Sequence, residues 1–372
     1  MWTILITAAT LACDVSDSVD LTHTTLAADY PTITCIPASL YDSNSTKITL
    51  ANMTSLRIIK NKAFRSADNI VSTIDLRNAA KLTTVDTDAF IDFKGVVHME
   101  NNAALISIGS QAFRDADNLA STIDLTNAAT LTTIDDHAFS DFKGTVHMEN
   151  NAALKTIGSY AFYQADNPVS TIDLKNAVAL TTVGDYALYD FKGKVIMENN
   201  AALKTIGTFA FRSATNLASI IDLTNAVALT TVDDHAFGYF KGEVTMVGRY
   251  PLLEAIGSSA FVNTPHINNT VSIECVAANF TLANNVFYGI TWTEIIIETD
   301  CSLIPPPSPP SPPAPSPVSA PAPSGEGASG SNTGLIAGVS VAGVVVLGGG
   351  YAVFKFVSAK ATSGSGFNYL LF

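Results

Sequence analysis

Asp75, His98, Asp124, His147, Asp173 and Asp222 recur at matching places along the chain, and Glu100, Glu149 and Glu198 each follow the matching position by two residues. Carboxylates set beside imidazoles suit two kinds of chemistry. One is a proton-linked switch, because a neighbouring carboxylate favours the imidazolium. The other is coordination of zinc or another divalent ion by nitrogen and oxygen once the histidines are neutral. A plainer reading is a solvated face on which Asp alternates with His because like charges on adjacent strands repel. All three readings need these residues on neighbouring strands with their side chains on one face. In that arrangement His98 lies between Asp75 and Asp124, and His147 between Asp124 and Asp173, each about 5 Å away.

No further catalytic pattern accompanies this column. A Ser-His-Asp order, a nucleophile elbow, a phosphate-cradling glycine loop and a metalloprotease helix motif are all missing, so the chain reads as non-enzymatic, with no cofactor and no assigned metal. The formal net charge of −13 and the lack of any Lys- or Arg-rich run argue against a nucleic-acid partner. Cys13, Cys35, Cys275 and Cys301 have neither zinc-ribbon nor zinc-finger spacing and read as two extracellular disulfides. Sequons at Asn44, Asn52, Asn268 and Asn279 are candidate glycosylation sites.

The elements that must position these residues are set by a repeat. Ile-Asp-Leu recurs at Ile74, Ile123, Ile172 and Ile221, a period of about 49 residues. A sister phrase begins at Val97, Val146, Val195 and Val244, which divides each period into coils of about 23 and 26 residues. In each coil two apolar residues around a polar one predict a short strand, followed by a core leucine (Leu82, Leu105, Leu131) and an Ala-Phe pair (Phe90, Phe113, Phe139). An Asn column (Asn52, Asn78, Asn101, Asn127, Asn150, Asn176, Asn199, Asn225) is predicted to satisfy backbone groups where the chain turns out of the strand. Its neighbours alternate Ala79, Asn102, Ala128, Asn151, Ala177 and Asn200, and either column could point inward. No coil can bury its own apolar residues, so stacking predicts one cooperative array of about ten coils.

The Leu, Ile and Ala-Phe spacing resembles the BspA-like leucine-rich repeats of bacterial and protist surface antigens over roughly residues 48–290. The resemblance implies an α/β-type solenoid with a parallel β-sheet on its concave face, extracellular display, and adhesion in some members. The Asn column and the strict two-coil alternation depart from that pattern.

The segments are read as signal peptide 1–12, N-terminal cap 13–47, repeats 48–267, C-terminal cap 268–303, Pro/Ser/Gly-rich stalk 304–333, transmembrane helix 334–356 and cytoplasmic tail 357–372. Leu335 to Phe354 carry no charge and are followed by Lys355 and Lys360, which predicts a single-pass type I plasma-membrane protein with its repeats outside. Gly334, Gly338 and Ala342 form a small-residue stripe that would let two such helices approach closely as a homodimer. About ten coils hold the caps too far apart for a disulfide between them, so the pairs Cys13–Cys35 and Cys275–Cys301 are expected. Recognition or adhesion toward an extracellular protein or glycan is the leading function. A structural cell-coat or wall glycoprotein and a carbohydrate-active β-solenoid enzyme are the alternatives, the last needing acid and base carboxylates in a cleft.

Overall fold

The structure, a computed structural model, describes residues 34–36, 38–39, 49–68, 71–266, 270–290 and 294–298. The segments expected as signal peptide, stalk, transmembrane helix and tail lie outside them. Every strand pairs in parallel with its neighbours, and the strands form three sheets. Eleven two-residue strands from Cys35–Ile36 to Thr281–Leu282 make one sheet, and nine strands from Thr49–Leu50 to Glu243–Thr245 make a second. A third joins Val247–Arg249, Thr270–Glu274 and Glu294–Glu298. Up to Glu243–Thr245 each coil thus contributes one strand to the eleven-stranded and one to the nine-stranded sheet, with the core between them, and the three-stranded sheet takes over at the C-terminal end.

The core is columnar. Leu82, Leu105, Leu131 and Leu154 are fully buried, as are Val85, Ile108, Ile134 and Ile157 on the short strands. The Ala-Phe residues stack ring on ring, Phe90 on Phe113 at 5.0 Å and Phe113 on Phe139 at 5.1 Å. Leu188 takes Phe's place in its coil and stays fully buried. Such stacks add about 0.5–1.5 kcal/mol per pair beyond area burial, and they also hold the coils in register.

The α/β-type expectation is corrected here, because no helix occurs among the described residues. Accordingly, none of them forms a helix long and apolar enough to cross a membrane. The reason is visible in the Ala-Phe turn. The N–H groups of Asp88, Phe90 and Asp92 donate to Ser110, Ala112 and Arg114 of the next coil, at 2.9, 2.7 and 2.9 Å. The intervening Ala89, Ile91 and Phe93 close turns onto residues three before them, at 3.3, 3.2 and 3.1 Å. Asp88 and Asp92 adopt φ of 56°, so the backbone alternates hand and cannot continue as an α-helix. Alternate donors therefore bond to the neighbouring coil.

The two Asn columns divide their work. Members of the outer one hydrogen-bond to each other, with Asn78 donating to Asn52 at 3.0 Å, Asn176 to Asn150 at 2.8 Å and Asn225 to Asn199 at 2.7 Å. The inner column is the one that alternates with Ala. Asn102 donates to the carbonyls of Leu76 and Ala79, Asn151 to Leu125 and Ala128, and Asn200 to Leu174 and Ala177. The next carbonyl in that series, Leu223, accepts instead from the buried Tyr250 hydroxyl at 3.1 Å.

Candidate functional site

The nine-stranded sheet brings the Asp and His residues together only in part. Asp75 pairs with His98, Asp124 with His147, Asp173 with Ile196 and Asp222 with Thr245. On their other sides His98 pairs with Thr122 and His147 with Thr171. An Asp on each flank of both histidines is thus corrected to one Asp and one Thr. The 26-residue coil is responsible, because it lets the next strand slide by two residues relative to the 23-residue step. The N–H groups of Val97, Val146 and Val195 then donate to the hydroxyls of Ser121, Ser170 and Ser219, at 3.1, 3.0 and 3.0 Å.

Most carboxylates of the column already have local work. Arg77 grips Asp75 in two side-chain bonds, Nε to Oδ1 at 2.9 Å and Nη2 to Oδ2 at 2.6 Å, and holds its carboxyl below the usual Asp range. Asp124, Asp173 and Asp222 each accept the backbone N–H two residues on, at 2.9, 3.0 and 2.9 Å. These are strand-ending Asx turns. Lys175 pairs with Glu198 at 3.1 Å, and Asn150 donates to Glu149 at 3.4 Å. Glu100 is half-buried at the exit of its strand. Among the described residues no group of three His, Cys, Asp or Glu side chains could hold a metal ion, so the zinc geometry anticipated for this column is not assembled.

A second cluster lies on the Ala-Phe turns, at the position just before Ala. His137, Tyr160, Tyr186, Phe209 and His235 occupy this position in consecutive coils with centroids 4.6, 4.7, 4.7 and 5.0 Å apart, the Tyr186–Phe209 pair tilted and the other three stacked. All five adopt left-handed backbone, with φ between 55° and 58°. Lys62, Asp88, Gln111, Ser259 and Asn285 hold the same place in other coils with φ of 54° to 58°, so the fold demands this conformation in every coil. For bulky side chains it costs about 1–2 kcal/mol each, which Asn or Gly would avoid. Three residues on, Tyr163 stacks on Tyr189 at 5.3 Å, and the Arg212 guanidinium lies 4.9 Å from Phe209 and 5.4 Å from Tyr239. These rings are half-buried, with Tyr239 exposed. Exposed Asp136, Asp185 and Asp234 flank the ladder, each accepting a backbone N–H of the next coil.

The electrostatics follow burial. Desolvation pushes His137 and His235 below the ordinary histidine value, helped by Arg114 and Arg212 respectively and opposed by nearby Asp residues. Burial in the ladder therefore favours the neutral imidazole. The ladder lies outside the strand positions at which the Asp and His residues recur. Its signal was the residue before Ala in His-Ala-Phe, Tyr-Ala-Phe, Tyr-Ala-Leu and Phe-Ala-Phe, aromatic in five successive coils.

Residues 34–167 and 132–268 match the model of the BspA type Leucine rich repeat region, in six copies. The chain belongs to this family. Among solved structures, a leucine-rich repeat protein from Bacteroides ovatus ATCC 8483 is 15% identical, covering 68% of this chain and 87% of its own, with a TM-score of 0.22. The pneumococcal vaccine antigen PcpA is 16% identical, covering 70% and 75%, with a TM-score of 0.26. No curated protein matches the chain.

In this BspA-type array the ends are tied as well as stacked. Cys35 and Cys275 both belong to disulfides, whose partners lie outside the described residues. Cys35 pairs with Ile58 at the first edge of the eleven-stranded sheet, while Cys275 directly follows the Thr270–Glu274 strand at the other end. Among the sequons, Asn279 is exposed, whereas Asn52 accepts from Asn78 at φ 53°. Asn44 and Asn268 lie outside the described residues.

Proposed function

We propose that this BspA-type chain is a non-catalytic surface protein that recognises or adheres to an extracellular protein through the aromatic ladder. The observation that carries the reading is the cost of the ladder, five aromatic rings placed in succession where the backbone is left-handed. Stacking offsets part of that cost. It does not account for Arg212 and Tyr239 being set beside the strip. Three of the four steps stack face to face, with Tyr186 and Phe209 tilted, so the ladder offers few of the open ring faces on which sugars stack. Tyr and Arg on a rigid scaffold are the residues that dominate protein interfaces. The acidic flank fits a partner with an apolar centre and a basic rim.

The remaining segments suit the same role. The reading places the repeats outside a plasma membrane, spaced by the 304–333 stalk, held by helix 334–356 and closed by Cys13–Cys35 and Cys275–Cys301, with glycans confined to the ends. The test displays the full chain on cells and measures adhesion to surfaces coated with extracellular matrix proteins, using Tyr160→Asn, Tyr186→Asn and Phe209→Asn. Asn suits left-handed backbone, so folding should persist. Adhesion should fall at least tenfold at equal surface level and weaken with added salt. Unchanged adhesion in these variants, with loss in His98→Gln and His147→Gln, would move the site to the sheet face.

A further inference from the structure

One phase of the Ala-Phe turn recurs every 49 residues, and Arg65, Arg114 and Arg212 occupy it, with Tyr163 in the remaining place. Around Arg114 the repeat supplies carboxylates. Asp115 follows it, with Oδ2 3.2 Å from the guanidinium Nε, and the flanking coils carry Asp92 and Asp141 at the phase of Asp115. Around Arg212 two of these three places are changed. Ser213 stands where Asp115 would, Tyr239 stands where Asp141 would, and the third carboxylate, Asp190, is held by Lys192. Among the described residues the Arg212 side chain has no hydrogen bond or ion pair, and its Nε is buried without a partner.

What surrounds this cation instead is aromatic. The guanidinium carbon lies 4.9 Å from the Phe209 ring centre and 5.4 Å from that of Tyr239, which is 41% exposed. The one tilted step of the ladder falls here, with Phe209 at 38° to Tyr186 against 6°, 6° and 11° at the other steps. Two rings fix the guanidinium and strip part of its water without neutralising it. A charged donor left desolvated and unpaired carries a cost that a bound anion removes. Its donors lie in one plane as a fork, the geometry that takes a carboxylate through two parallel bonds.

The surroundings also select among anions. Exposed Asp185 and Asp234 flank the same rings, and the chain carries a formal net charge of −13, so each further negative charge on a ligand meets added repulsion. A single carboxylate suits such a place better than a sulfate, a phosphate or a polyanion.

We infer that Arg212, framed by Phe209 and Tyr239, receives one carboxylate, an Asp or Glu side chain of the protein that meets the ladder. That the carboxylate belongs to a protein partner rests on the ladder reading, whereas the site itself rests on the unpaired guanidinium.

The test uses the full chain in a non-ionic detergent, with isotope-labelled arginine, and follows by nuclear magnetic resonance the Nε–Hε signal that disappears in Arg212→Lys. At constant ionic strength, N-acetyl-glutamate N-methylamide should shift that signal saturably, and the glutamine analogue and inorganic sulfate should bind at least tenfold more weakly. Ser213→Asp restores the internal counter-ion of Arg114, and Asp115 holds φ of 54° where Ser213 holds 58°, so the variant should fold with an unchanged melting temperature. It should bind the glutamate analogue at least tenfold more weakly and lose adhesion at least tenfold at equal surface level. No saturable shift, an equal response to glutamine or sulfate, or undiminished binding by Ser213→Asp would overturn the carboxylate site. Adhesion that survives Ser213→Asp but not Tyr160→Asn would overturn the partner's use of the site and leave the ladder reading intact. Adhesion that survives Tyr160→Asn but not Ser213→Asp would instead overturn the ladder reading and support the site.

Discussion

Replacing the buried Asn151 with Ala isolates what the inner polar column contributes. Asn151 is 1% exposed, and its amide donates to the Leu125 carbonyl at 2.8 Å and the Ala128 carbonyl at 3.3 Å, while its Oδ1 has no hydrogen-bond partner. Ala at this place is sterically ordinary, since Ala128 and Ala177 occupy it in the flanking coils. Each carbonyl keeps one other bond, Leu125 from Ala128 at 3.1 Å and Ala128 from Leu131 at 3.0 Å. Two hydrogen bonds at about 0.5–1.5 kcal/mol each are lost, offset by removal of the orphan oxygen, for a net cost of about 1–2 kcal/mol. Asn151→Asp keeps the shape but turns the donor into a carboxylate facing two carbonyl oxygens, so it should cost several kcal/mol. The assay is urea denaturation followed by circular dichroism, comparing midpoints at a constant m-value. Asn102→Ala and Asn200→Ala should behave alike and add to it, because the sites lie two coils apart. A neutral Asn151→Ala, or an Asp variant no worse than Ala, would refute the view that these amides clamp the coils.

The ladder histidines give a signed pH dependence. Their folded pKa values lie below the unfolded 6.5, so their contribution is complete above pH 6.5 and is lost as pH falls through the folded values. Thermal melts from pH 7.5 to 5 should show stability falling, and His137→Phe with His235→Phe should flatten that part of the profile; an unchanged slope would contradict it. Gly144→Ala should cost about 1–3 kcal/mol in denaturation, because its Cβ would meet the Ser121 carbonyl oxygen at 2.7 Å and the Phe142 ring at 2.5 Å. Peptide mapping without reduction should yield Cys13–Cys35 and Cys275–Cys301, and a Cys35–Cys275 link would contradict the solenoid itself.

What the sequence disclosed and what it hid follow from which forces leave a periodic trace. Burial does, so the coil lengths, the Leu column, the Ala-Phe column and the parallel stacking were legible from spacing alone. Hydrogen-bond routing does not. Asp86 to Phe93 has an apolar spacing compatible with a helical turn, and only the left-handed φ at Asp88 and Asp92 sends alternate N–H groups to the next coil. The two-residue slide after each long coil was hidden for a related reason. Equal repeat phrases imply equal register, but Ser121, Ser170 and Ser219 supply the acceptors that let the strands slip. That slip separates His98 and His147 from their second Asp neighbours and weakens the histidine column as a site. The aromatic ladder was missed for the opposite reason. Its residues differ in type, His, Tyr, Tyr, Phe and His, so identity matching passes over a column whose common property is a flat ring at a left-handed position. A search by side-chain shape at fixed phase in the repeat would have found it, because the backbone at that phase is the same in every coil and only the ring is a choice.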